Sequence, residues 1–298
     1  MGDEFTLGIY KYKCNFTRNQ LPHLPEQLKM SNISPCGVLL ELVMGKMNIL
    51  NSDGELVYKQ ETNFTKLPAE IQMTNTYEQF NEVLNTDILD EECRNICNRF
   101  MLYDRTNNFV YEHILNELTQ YFVVNELSPC EGFVHLYRTL EFMSYSFPLI
   151  YASKSKSYRG TYDSLKKFLT GDSGGELKFF DKFLKEIFTT DIAYQYEFEV
   201  YVDSCNIKEL KKEFQEIFKT DFFTFDENTL TFKFKNVMEL FIEIRNRYFH
   251  MLLGQGRNNF LNMEYDKNDL FRSLNPVFIN WLAFIFVKIV QHGIESCN

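Results

Sequence analysis

Apolar positions recur at steps of three and four residues through most of the chain after residue 76, and they alternate in a few short stretches. That pattern predicts an α+β fold that is mainly α. Residues 1 to 75 lean toward strand and loop. FTLGIYKYK alternates as a strand, and a loop containing Pro22, Pro25 and Pro35 follows. GVLLELVMGKMNIL and ELVYKQ flank the turn cluster Asn51-Ser52-Asp53-Gly54 and predict a hairpin. Residues 76 to 127 turn helical in TYEQFNEVLN, DEECRNICNRFMLYD and FVYEHILNELTQYFVVNEL. His113, inside the third, reads as an ordinary core or surface histidine.

From Ser128 the helical pattern strengthens. Ser128 with Glu131 three residues later predicts a capped helix start. Phe133, Leu136, Tyr137, Leu140, Met143 and Phe147 then share one face, and Pro148 should kink the helix or shift its end. TYDSLKKFL and GELKFFDKFLKEIF predict two more helices, separated by the glycines of TGDSGG. Residues 194 to 234 interrupt the bundle with YQYEFEVYV as a strand, NIKELKKEFQEIF as a helix, and FFTF and TLTFKF as a hairpin around Asp226-Glu227-Asn228. This is a small β-α-β-β insertion. Leu274 to Ile294 reads as a closing helix with Pro276 in its first turn. The organisation predicted is an N-terminal region, 1–127, as sensor, partner-binding part or buttress, and a helical domain, 128–298, with its insertion at about 194–234.

One helix is apolar on two sides. In KNVMELFIEIRNRYFHMLLG, Lys235 to Gly254, Val237, Leu240, Phe241, Ile244, Tyr248 and Leu252 make the first face, and Gly254 is a stop. Met238, Ile242, Phe249 and Leu253 make a second stripe, with Arg245 on one edge and Asn246 and His250 on the other. Two readings of those polar residues stand side by side. They form either a reactive cluster beside a docking seam or a buried polar joint between two helices. A second copy of the pattern, Arg18, Asn19 and His23, contains Pro22 and belongs to a loop.

Arg245, Asn246 and His250 resemble the motif of the HEPN superfamily of helical ribonucleases, an Arg, commonly a polar residue after it, and a His with four to six residues between it and the Arg. The resemblance runs from Gly132 onward. It implies a helical bundle whose motif helix packs on its copy in a homodimer, so that two motifs build one metal-independent RNA-cleaving site. It also implies the setting of a toxin or antiviral defence effector, held quiet by a regulatory partner such as an antitoxin, that attacks tRNA or other RNA. Arg245 would bind phosphate, Asn246 would fix the imidazole or bind phosphate, and His250 would move a proton, for which an unperturbed pKa near 6.5 is suited. Glu141 and Arg138, on the opening helix of the bundle, are candidates to orient that pair, with a plain ion pair as the other reading. A non-catalytic HEPN-like module docking to a partner protein would use the same apolar seam without the chemistry.

A net charge of −10 argues against broad nucleic-acid binding but leaves room for a local basic site. Lys154, Lys156, Arg159, Lys166 and Lys167 make one such patch, and Arg257 stands in a polar loop after the motif helix. Each is either an RNA-backbone contact or a solvated surface. Seven Cys without a Cys-x-x-Cys or an accompanying His pair predict no metal and no cofactor, and they suit a reducing, cytoplasmic setting. Neither a leader sequence nor a membrane span is expected, since no uninterrupted apolar run reaches about 18 residues.

Overall fold

A computed structural model describes residues 4–14, 33–71, 104–154, 158–169, 176–188, 190–202, 207–218, 222–249 and 267–296. The fold is α+β and mainly α. The helices expected between 76 and 103, the Arg18–His23 copy of the motif, the glycine segment 170–175 and the polar loop 254–266 lie outside the described residues.

The chain opens with strands β1 (Phe5–Leu7) and β2 (Tyr10–Cys14), which pair antiparallel. The alternation in FTLGIYKYK thus covers a hairpin, because Gly8 turns the chain at φ +60°. Strands β3 (Met47–Leu50) and β4 (Leu56–Gln60) extend the sheet in the order β1-β2-β3-β4, with the expected turn at Asn51–Gly54 between them. Asn51 fixes that turn, its Oδ1 accepting from the Asp53 and Glu55 amides.

The stretch before β3 corrects the expectation of a strand. Pro35–Met44 is a helix, α1. Ser34 caps it by accepting from the Gly37 amide, Pro35 occupies the first turn, and Gly45 ends it at φ +81°. A Cβ at Gly45 would stand 2.6 Å from the Thr62 carbonyl oxygen, so the position needs glycine for space as well as for angle. All ten residues of α1 are buried, and a helix with no polar face has no period to read. Two short strands, β5 (Thr62–Asn63) and β6 (Glu70–Ile71), follow.

Helices α2 (Asn108–Val124) and α3 (Pro129–Ser153) pack along one another across the boundary expected at 127. The predicted face of α3 is buried throughout, from Phe133 to Phe147. Ser128 sits at the cap position without a side-chain bond, so Pro129 carries the helix start. Pro148 lies inside α3, which runs on to Ser153. Helices α4 (Tyr158–Leu169) and α5 (Glu176–Phe188) pack on α3.

The insertion has its expected composition. Strand β7 (Glu197–Tyr201), helix α6 (Ile207–Ile217) and the hairpin β8 (Phe223–Asp226) and β9 (Thr229–Lys233) form a sheet ordered β7-β9-β8. A 3-10 turn, Phe234–Asn236, leads into α7 (Val237–Phe249). The last helix, α8 (Lys267–Ser296), starts a full two turns before the expected Leu274, which places Pro276 inside it. The carbonyl that Pro276 leaves without its helical donor belongs to Arg272, an exposed residue. By length and composition α8 could cross a membrane, but 78% of its most apolar window is buried in the fold.

Aromatic rings lock α3, α7 and α8 together. Phe133 meets Phe241 at 5.2 Å, Phe271 at 4.8 Å and Phe278 at 5.6 Å between ring centres. Two buried amides of α8 tie it to backbone elsewhere in the chain. Asn280 donates to the Phe64 and Lys66 carbonyls, both at 2.6 Å, and Asn275 to the Pro129 carbonyl at 2.8 Å.

Candidate functional site

Helix α7 presents the motif because its other residues have decided which way it faces. Val237, Leu240, Phe241 and Ile244 are buried as the period requires, and Tyr248 is half-buried with its ring edge-on to Phe271 at 5.0 Å. The second stripe is covered unevenly. Met238 is buried, Ile242 is half-buried, and Phe249 is 42% exposed while stacking flat on Phe133. The stripe is therefore most exposed at the end of the helix, beyond Arg245 and Asn246.

Arg245 is half-buried, with its guanidinium carbon 5.0 Å from the centre of the Tyr137 ring on α3. Its Nη1 donates to Asn246 Oδ1 at 3.2 Å. Among the described residues no carboxylate pairs with it. On the same helix Arg247 pairs with Glu243, at 3.9 Å, and on α3 Arg138 turns away to Glu117, at 3.0 Å. A guanidinium held over a ring face still directs N–H donors outward along its own edge, available to a planar or tetrahedral anion. Burial pushes the Tyr137 hydroxyl up, the Arg245 charge opposes that, and Glu141 adds to it. Tyr137 stays a neutral platform for the cation.

The sequence candidates distribute as follows. Arg245 and Asn246 stand together, and His250, the next residue after α7, lies outside the described residues, as do Lys156 and Arg257. Glu141 is exposed, and its charge acts on Tyr137. Arg138 is not beside the motif: it reaches back to Glu117 of α2. Lys154 caps α3 about 25 Å along the helix from Tyr137, at 1.5 Å per residue, and Arg159 is exposed on α4. Lys154 is therefore remote from Arg245.

Two arrangements escaped the sequence. Tyr137 was legible only as one of a row of core aromatics, and its pairing with Arg245 depends on how α3 and α7 cross. Glu117, on the helix before the bundle, is buried and accepts from both His135, at 2.8 Å, and Arg138. Among the described residues no group of His, Cys, Asp and Glu is arranged to hold a metal.

No family model, no curated protein and no solved structure matches the chain.

Proposed function

We propose that the protein is a metal-independent endoribonuclease whose site is built by Arg245, Asn246 and His250. The observation that carries the reading is Arg245, a half-buried cation that no carboxylate pairs among the described residues, held over the Tyr137 ring with an amide beside it. A cation desolvated on one face and left with edge donors is suited to a phosphodiester, and its bonds strengthen as charge builds on the phosphoryl oxygens.

RNA brings its own nucleophile. The 2′ oxygen attacks phosphorus and gives up its proton, the bond to the 5′ oxygen breaks, and that oxygen takes a proton. His250 serves one of these transfers, and its copy in a homodimer joined through α7 serves the other. The products are a 2′,3′-cyclic phosphate and a 5′-hydroxyl end. The exposed Phe249 beside the motif supports a protein surface docking there, whether a second copy or a regulatory partner. Work in the cytoplasm on tRNA or another cellular RNA, as a toxin or antiviral effector, is part of the same proposal.

The test is cleavage of end-labelled RNA in EDTA by the wild type, Arg245→Ala and His250→Ala. Both variants should lose about a hundredfold or more in rate. Equal cleavage by all three would remove these residues from the chemistry. No cleavage by any of them would favour a docking module, in which Arg245 and His250 only bind a partner.

A further inference from the structure

The face of α7 that bears Arg245 continues toward the helix start and there meets a cavity. At about 100° per residue, Met238, Ile242 and Arg245 fall within roughly 60° of one another around the helix. Met238 and Ile242 form one wall of a cavity of about 550 Å³, closed on the other side by α5 and by Tyr194 of the turn before β7. That volume suits a small organic molecule.

The lining is divided by chemistry. The floor is apolar and includes an aromatic ring, from Leu177, Met238, Ile242 and Tyr194. Two exposed cations stand at the rim, Lys178 and Lys235, and no carboxylate pairs with either among the described residues. Within the wall, Lys185 donates to Asp181 at 2.5 Å, which neutralises both. Asn236 donates its amide to the Phe222 carbonyl at 2.8 Å, which leaves its side-chain oxygen as an acceptor. Glu239 is a second acceptor on the same wall.

We propose that this cavity binds a nucleotide, with the base on Tyr194 and the apolar floor and the phosphate toward Lys178 and Lys235. A flat heteroaromatic ring uses the floor, its amino groups donate to Asn236 and Glu239, and the rim cations take the phosphate. A fatty acid would satisfy the lysines but set hydrocarbon against two acceptors. Free phosphate would leave the floor wet. The nucleotide is either a free one or one unit of a strand whose neighbouring phosphate lies on Arg245. The second source rests on the ribonuclease reading, and the first does not.

Titration calorimetry on the full-length protein separates these cases. The probes are the four ribonucleoside monophosphates, sodium phosphate, and a short RNA carrying 2′-O-methyl groups so that it cannot be cleaved. The proteins are the wild type, Ile242→Trp to fill the cavity, the paired Lys178→Glu and Lys235→Glu, and Arg245→Ala, each checked by thermal melting. A monophosphate or the RNA should bind the wild type and lose at least tenfold in affinity in both cavity variants. Monophosphate binding retained by Arg245→Ala identifies a free-nucleotide site. Binding of the RNA alone, weakened in the cavity variants and in Arg245→Ala, identifies a strand subsite. No binding by any probe, phosphate binding as tightly as the nucleotides, or affinities unchanged in the cavity variants would overturn the inference. If cavity variants bind and cleave like wild type while Arg245→Ala does not cleave, this site falls and the ribonuclease stands. Nucleotide binding without cleavage by any protein gives the reverse.

Discussion

The guanidinium of Arg245 lies on the ring of Tyr137, 5.0 Å from carbon to ring centre. The two residues come from α7 and α3, which the Phe133 and Phe241 rings hold together just below the pair. Tyr137 also packs on Phe241, at 6.1 Å, so the platform under the cation is part of the core. The position of Arg245 is thus set by packing on one face, while Asn246 fixes one edge. A cation preorganised in this way loses little freedom when it meets an anion, which is the condition for an effect on rate rather than on binding alone.

The platform is open to a graded test. Tyr137→Phe keeps the ring and should leave RNA cleavage within about twofold of wild type. Tyr137→Leu removes the ring face, worth roughly 1 kcal/mol at a half-buried site, and should slow single-turnover cleavage about fivefold. Arg245→Lys keeps the charge but neither stacks flat nor presents a planar edge, so its loss should approach the hundredfold of Arg245→Ala. Lysine working as well as arginine would mean that only charge matters at this position.

Glu117 offers a test of stability with a built-in asymmetry. It is buried between α2 and α3, accepts from His135 at 2.8 Å, and pairs with Arg138, whose side chain is 52% exposed. Arg138→Ala should cost under about 1 kcal/mol, because the exposed end of that pair is largely screened by water. Glu117→Ala should cost about 3 kcal/mol, since it removes the centre of a buried polar joint and strands the imidazole against apolar packing. Urea unfolding of the two variants gives the comparison. Equal costs would place the stabilisation in the Arg138 pair instead of the buried carboxylate.

How far these features could be read in advance depends on contrast along the chain. Helices α5 and α6 were legible because each alternates an apolar face with lysines and glutamates, and β7 because Phe198 and Val200 point inward between exposed glutamates. Helix α1 offered no contrast, since even Glu41 is buried, and its run of Val and Leu reads equally well as a strand. The start of α8 was hidden because Lys267, Asn268, Asp269, Arg272 and Ser273 surround only two apolar residues, Leu270 and Phe271, ahead of the apolar run. Arg245 and Asn246 were visible as a local pattern. Tyr137 and the wall contributed by Tyr194 were not, because they reach the site through the crossing of α3, α5 and α7, which a local pattern does not encode.

Glu41 predicts an unusual dependence of stability on pH. It is fully buried on α1, Cys14 Sγ donates to its Oε2 at 2.5 Å, and its Oε1 has no partner among the described residues. Burial pushes its pKa from 4.5 up to about 8, with the Cys14 bond opposing the rise. In the unfolded chain the carboxyl ionises near the ordinary value. From about pH 4.5 to about pH 8 the folded protein therefore keeps a proton that the unfolded chain has released, and stability falls as pH rises across that window. Below it both states are protonated, and above it both are ionised, so the contribution is flat on either side. The total loss is on the order of 5 kcal/mol. Glu41→Gln has no proton to lose and should gain on the wild type from about pH 4.5 to about pH 8, whatever offset its amide introduces. Urea unfolding of both proteins at intervals through this range measures the difference. Two curves that stay parallel would mean that Glu41 titrates alike folded and unfolded, and that the interior around α1 admits water.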